Sequence, residues 1–179
     1  MTAVEHEVAS SGAAICAELA SEGITTIGWL PASETHFMNA AIAEQFEVVQ
    51  VCKEGEAIAF AGGQHLAGRR AAVLIENQGL YESGNALKWA AGLRFPIPVL
   101  VGCPHYAELV RREDGTLVNP ANNSVDYTER FLNAFLIKNY VVNTDDDVHL
   151  VGEAVREARR ITRPVAVILA SADGYQAGT

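Results

Sequence analysis

Cysteine, aromatic residues, basic charge and long apolar runs are all scarce in this chain. Its three cysteines, Cys16, Cys52 and Cys103, lie far apart, with no CxxC pair and no zinc-ligand spacing. An odd, scattered set of thiols excludes a disulfide framework and, with no leader-like segment, leads us to expect a cytoplasmic protein. The five histidines (His6, His36, His65, His105, His149) form neither HxxH nor HExxH, so no metal site built by this chain alone is expected. No apolar run reaches the length needed to span a bilayer. Thirteen basic residues stand against 22 acidic ones, a net charge of −9, which argues against nucleic acid or an anionic membrane as partner. Missing too are GxGxxG after the first strand, GxxxxGK[ST] and GxSxG, so dinucleotide, P-loop and serine-hydrolase chemistry lack their usual groundwork.

What the chain does contain is small and branched apolar residues in alternating periods. Hydrophobic residues make up 49% of 179 positions and aromatics 7%, a composition suited to helices packed on a buried parallel sheet. The period predicts a helix over 5–22 stopped by Gly23, then a strand over 24–29. Pro31 breaks that strand, and Ser33 is expected to N-cap a helix over 34–44. Further strands are expected at 46–51, 71–75, 98–102, 139–143 and 164–169, and further helices at 54–66, 80–93, 126–137 and 146–161. Asp145, Asp146 and Asp147 sit where acids cap a helix start. The polar stretch 103–125 is long for a simple connection, and such loops are usually functional or mobile. The expected fold is α/β: a doubly wound, about six-stranded parallel sheet with helices on both faces. A single domain over 1–170 and a loose tail over 171–179 complete the expectation.

Open α/β sheets hold ligands at the carboxyl ends of their strands. Three such ends are rich in glycine and polar groups: residues 28–33, 52–57 and 76–86. The second places Glu54 at a strand-to-helix turn, where the default role of an acid is simply to complement the helix dipole. Behind it, Ala57, Ala61, Gly62 and Gly63 leave room for another surface to approach. Glu56, two positions on, is expected to point elsewhere and pair on the surface. Ser33 and His36 could reach a substrate, against their plain roles as helix cap and solvated residue. Lys53, Arg94, Arg111 and Arg112 are possible holders of an anionic group, with solvation the default. Cys103 and His105 lack the third group that a nucleophilic pair needs, so Cys103 is expected in the core. Trp29, Phe37 and Tyr81 are expected near the crevice, where they would suit a bulkier or less charged ligand.

The run from Glu54 through Ala57, Ala61, Gly62 and Gly63 resembles the pyrimidine-binding (PYR) domain of thiamine-diphosphate-dependent decarboxylases. Gly28, Pro31 and Ser33 resemble that domain's first strand-end loop. Asn77-Gln78-Gly79-Leu80 with Gly84-Asn85-Ala86-Leu87 resembles its third, and residues 94–100 resemble the strand that follows. The pattern is closest to the alpha subunit of sulfopyruvate decarboxylase and to phosphonopyruvate decarboxylase, and runs over about residues 10–102. The resemblance implies that Glu54 bonds a ring nitrogen of the cofactor's aminopyrimidine. The exocyclic amine then takes its imino form and removes the thiazolium C2 proton, so that the cofactor can attack a 2-keto acid. It also implies cofactor contacts from Pro31, Asn77, Gly79, Leu80 and Asn85, and substrate contacts from Ser33 and His36.

In that family, diphosphate and Mg2+ are held by a domain carrying GDG with an Asn some 25–30 residues later. This chain has no such motif; Glu113-Asp114-Gly115 with Asn143 lacks the first glycine and lies in a polar loop. The implied assembly is therefore a hetero-oligomer built on dimers, in which a separate diphosphate-binding (PP-type) subunit holds most of the cofactor and the metal. Two other readings stay open at this point: a thiamine-diphosphate-dependent carboligase subunit, and a non-catalytic scaffold or regulatory module of the same fold.

Overall fold

A computed structural model describes residues 2–119 and 123–170; the expected tail 171–179 lies outside them. Helix α1 (Thr2–Ser21) ends where Gly23 adopts φ 75° and Ile24 N donates to Leu19 O, a left-handed stop that glycine takes without a Cβ penalty. There follow strand β1 (Thr26–Trp29), a 3-10 helix (Ser33–Met38), α2 (Asn39–Gln45), β2 (Glu47–Gln50), α3 (Glu54–Leu66) and β3 (Ala71–Glu76). Next come α4 (Asn77–Glu82), α5 (Gly84–Gly92), β4 (Pro98–Gly102) and a hairpin of β5 (Val110–Arg111) and β6 (Leu117–Val118). The described chain finishes with α6 (Thr128–Ala134), β7 (Lys138–Val142), α7 (His149–Ile161) and β8 (Val165–Leu169).

Six strands form one parallel sheet in the order β2-β1-β3-β4-β8-β7. Strand side chains alternate between its two faces. Ala72 and Leu74 of β3 join one buried cluster with Ile15, Cys16 and Leu19 of α1 and Val151, Val155 and Ala158 of α7. Ala71, Val73 and Ile75 join another with Ala57, Ile58 and Ala61 of α3, Leu80, Leu87 and Leu132. Helices thus cover both faces, as the doubly wound pattern requires. Because β1 lies between β2 and β3, the chain winds one way from β1 and the other way to β3. The crevice above those ends is a topological switch point, the usual ligand position of such sheets.

Local chemistry corrected several sequence expectations. Ser33 does not cap a helix: the position before the 3-10 helix is Ala32, and Ser33 Oγ donates to Glu34 Oε2 at 3.0 Å. The helix expected over 80–93 begins earlier, at Asn77, and is divided at Ser83 into α4 and α5. The helix expected to 137 stops at Ala134, where Leu136 takes a positive φ of 56°. Trp29 and Phe37 pack against the α1–α7 cluster instead of narrowing the crevice. The small face of α3 receives no outside surface along its inner side: Ala57 lies against β1 at Gly28, and Gly62 against the Phe95 ring. Among the described residues, no helix is long and apolar enough to cross a membrane.

Candidate active site

Three acids stand at the carboxyl ends of three adjacent strands. Glu34 follows β1 in the 3-10 helix, Glu54 opens α3 after β2, and Glu76 closes β3. Glu54 is partly buried, and its side chain fills the space beside Gly79. A Cβ built on Gly79 would fall 2.2 Å from the Glu54 Cδ and Oε1, so only glycine admits the carboxyl there. The start of α3 is fixed by Glu56, whose Oε2 accepts from Cys52 N at 2.9 Å and Lys53 N at 3.1 Å. This back-cap satisfies amides that open the helix, and it replaces the surface pairing expected of Glu56.

Glu34 and Glu76 form a hydrogen-bonded carboxyl pair. Burial pushes the Glu76 carboxyl up to about 7, reinforced by its hydrogen bond to Glu34 and by the charges of Glu34 and Glu54. Burial also pushes Glu34 up, but hydrogen bonds from Glu76, a backbone amide and Ser33 outweigh it and leave that carboxyl below its ordinary value. One proton is therefore shared, with Glu34 the more acidic member. Glu34 reaches this position over the end of β4, where Gly102 leaves space for its Cβ and for Thr35, and Gly102 pairs in register with Glu76. Neither acid is among the sequence candidates. The rule that selects Glu54, an acid just past an apolar strand, also fits Glu76 after 71–75.

The other candidates separate into groups. Pro31 on the loop after β1 and Ser33 and His36 in the 3-10 helix that follows are all exposed, and His36 Nδ1 hydrogen-bonds to Ser33 O at 2.7 Å. Asn77 is buried and its Nδ2 donates to Ser124 O at 3.3 Å. Tyr81 Oη donates to the same carbonyl at 2.5 Å and lies 2.9 Å from Thr128 Oγ1. Asn77 and Tyr81 therefore tie α4 to the segment before α6 instead of facing open space. Leu80 is wholly buried. Asn85 is exposed at the start of α5, and the adjoining Ala86 lies 3.6 Å from the Cβ position of Gly55.

The residues weighed as anion holders lie elsewhere. Arg94 donates to Thr162 Oγ1 at 2.8 Å, at the opposite end of the sheet, and Arg111 donates to Gly115 O at 2.8 Å within the hairpin. Lys53 and Arg112 are exposed. Glu113, Asp114 and Gly115 form the hairpin turn, where Asp114 Oδ1 accepts from Thr116 N at 2.9 Å. Cys103 is buried 3.4 Å from Thr128 Oγ1, and burial pushes its thiol up to about 11, so it is a core residue and no nucleophile. His105 pairs with Glu108 at 2.7 Å. Among the described residues, no group of three or more His, Cys, Asp or Glu is placed to hold a metal.

Comparison with known proteins bears on this geometry. The sequence matches the family described as the thiamine pyrophosphate enzyme, N-terminal TPP binding domain, over residues 10–129. Among solved structures, the fold resembles 2-oxoglutarate:ferredoxin oxidoreductase from Magnetococcus marinus, determined with 2-oxoglutarate, coenzyme A and succinyl-CoA bound. The TM-score is 0.68 at 16% sequence identity, and the match covers 92% of this chain but 29% of that one. A likeness at that identity concerns the fold alone. No curated protein matches the sequence.

Proposed function

The chain belongs to the family of N-terminal TPP-binding domains of thiamine pyrophosphate enzymes, and we propose that it is the pyrimidine-binding subunit of a two-subunit, thiamine-diphosphate-dependent 2-keto acid decarboxylase. Residues 1–170 act as one PYR-type unit in this reading. The observation that carries it is the Glu54 carboxyl seated against Gly79 at the switch-point crevice. The residues fit the cofactor's pyrimidine half: an acid at the strand end, beside a glycine that leaves space for it.

Glu54 would hold a proton at the ring nitrogen, which is what favours the imino form of the neighbouring amine. Pro31, Asn77, Gly79, Leu80 and Asn85 would shape the pocket, Leu80 by packing behind it. Ser33 and His36, exposed in the 3-10 helix after β1, would meet the substrate. When bound, thiamine diphosphate supplies the carbon nucleophile and the electron sink for loss of carbon dioxide. Mg2+ and the diphosphate fall to a PP-type partner carrying GDG and its Asn. Support for a partner comes from the exposed large apolar residues Leu66 at the end of α3, Trp89 in α5 and Leu93 just after it.

The acidic lining also bears on the substrate. Sulfopyruvate and phosphonopyruvate each carry a second anionic group, and three carboxyls line this side of the crevice. Such substrates require cations from the partner, whereas a 2-keto acid with an uncharged side group does not. The test is reconstitution with the partner, Mg2+ and cofactor, followed by carbon dioxide release from sulfopyruvate, phosphonopyruvate and pyruvate. Glu54→Gln should lower kcat about 10²- to 10⁴-fold, the range for removing a positioned proton-transfer group. Full activity of that variant would refute the assigned role.

A further inference from the structure

The end of the sheet away from the three carboxyls carries the opposite charge. A cavity of about 240 Å3 lies among the starts of β3 and β4 and the final turns of α3 and α7. Its floor is apolar, from Ile24, Ala61, Ile97 and Val155, and its rim holds Arg69, Arg70, Arg159 and His65. In a chain of net charge −9, such a gathering of guanidinium groups asks for a cause.

Two ordinary causes fall short of balancing it. Glu22 pairs with Arg156 and with Arg159, whose guanidinium also donates to the Glu22 carbonyl. Arg70 Nη1 donates to the same carbonyl at 3.3 Å. Among the described residues, Glu22 is the one carboxylate that ion-pairs with these guanidiniums, and Glu18 Oε2 lies beside Arg156 at Gly152. The carboxyl ends of α3 and α7 also attract cations, at about half a charge each. About one positive charge remains. Consistent with that surplus, Arg159 is held below its usual value by burial and by the charges of Arg70 and Arg156, against the pull of Glu22. Arg69 is exposed, and among the described residues its guanidinium makes no hydrogen bond or ion pair. His65 packs its ring against Phe95 at 5.6 Å, leaving its nitrogens at the rim.

We propose that this basal cavity binds a small organic dianion, a compact phosphate-type head on a short apolar body, with Arg69 and Arg70 gripping the head and the Ile24–Ile97–Val155 floor taking the body. Guanidinium groups suit such a head because their planar forks donate in pairs. The volume sets the size: drug-sized ligands occupy about 300–1,000 Å3, so the occupant is smaller, about one ring with its head group. The site stands at the far end of the sheet from Glu54 and does not depend on the cofactor reading, so the two can fail separately.

Phenyl phosphate is a suitable probe, titrated into the full chain without cofactor and followed by amide chemical shifts. Saturable shifts at Ile24, Ala61, Ile97 and Val155 are expected, with inorganic phosphate at least about tenfold weaker because it lacks the apolar body. Arg69→Ala removes a charge-assisted hydrogen bond and should weaken phenyl phosphate at least about tenfold, while Arg69→Lys keeps part of the affinity. The Arg69 guanidinium holds no element in place, so these variants should fold as the parent does. Shifts that map to the Glu54–Glu76 crevice, that never saturate, that sodium sulfate reproduces, or that persist unchanged in Arg69→Ala would each overturn the proposal.

Discussion

Replacing Glu76 by glutamine should change how stability depends on pH, and the change can be worked from the carboxyl cluster. Glu76 holds its proton up to about 7 in the folded chain, because of burial, its bond to Glu34 and the charges of Glu34 and Glu54. An unfolded glutamate releases it near its ordinary value of about 4.3. A carboxyl that binds its proton more tightly when folded favours the folded state at low pH. The favourable term is present in full below the unfolded value and fades as pH rises through about 7, leaving an ionised Glu76 facing Glu34 and Glu54. A shift of this size corresponds to about 4 kcal/mol at about 1.36 kcal/mol per unit. Solvent reaches this partly exposed group, so about 1–2 kcal/mol is the figure to test. The amide of the Glu76→Gln variant keeps the shape and a donor for Glu34 but has no proton to lose. Urea unfolding of both proteins at intervals between about pH 4 and 8, the window that brackets the shift, should therefore show near-equal stability at the acid end. At the alkaline end, Glu76→Gln should be more stable by about 1–2 kcal/mol. Glu34, held low, is present in both proteins and enters both curves. Parallel curves for the two proteins across the window would refute the shared-proton pair.

Other expectations follow from the same geometry. Gly79→Ala puts a methyl where the Glu54 carboxyl lies; it should lower stability by about 1–3 kcal/mol and depress reconstituted activity far more than that loss explains, as read by urea unfolding beside kcat. Glu56→Ala removes the acceptor for Cys52 N and Lys53 N; a loss of about 1 kcal/mol is expected in chemical denaturation, in line with helix caps generally. Thiol titration with a chromogenic disulfide should find Cys52 reactive in the native chain, with Cys16 and Cys103 reacting only after unfolding. Both are buried, and burial pushes Cys16 up to about 12 and Cys103 up to about 11. Prompt reaction of all three would contradict the packing described.

The sequence carried the fold well because its signals are local and repeated. Alternating apolar runs, breakers such as Gly23 and Pro96, and the spacing of strands and helices specify a doubly wound sheet without reference to tertiary contacts. Where expectations missed, a contact distant in sequence had intervened. Ser33 has the residue type of a helix cap, yet its hydroxyl donates to Glu34, a carboxyl held by Glu76. The helix over 77–92 is a local exception, divided at Ser83, whose hydroxyl folds back to Leu80 O three residues earlier. Asp147 behaved as the pattern required, accepting from Asn143 N at 3.0 Å and Thr144 N at 2.9 Å, because a helix cap involves only its immediate neighbours.

Glu54 was legible for a similar reason: an acid between an apolar strand and a small-residue helix is a one-dimensional pattern. What it touches was not legible. Gly79 lies beyond a whole helix and strand in the chain, and only the parallel pairing of β1 with both β2 and β3 brings the two strand ends side by side. The same pairing converts Glu34 and Glu76 from scattered acids into one proton-sharing pair. It also sends Arg94 to the far end of the sheet, out of reach of any anion in the crevice. Sequence by itself determined the architecture, the acid at the helix start and the lack of a diphosphate motif, since each is written in residue order. Tertiary structure alone decided which acids meet, which cations stay away and where charge collects, because those depend on strand order, and strand order is set by how the two buried faces of the sheet pack.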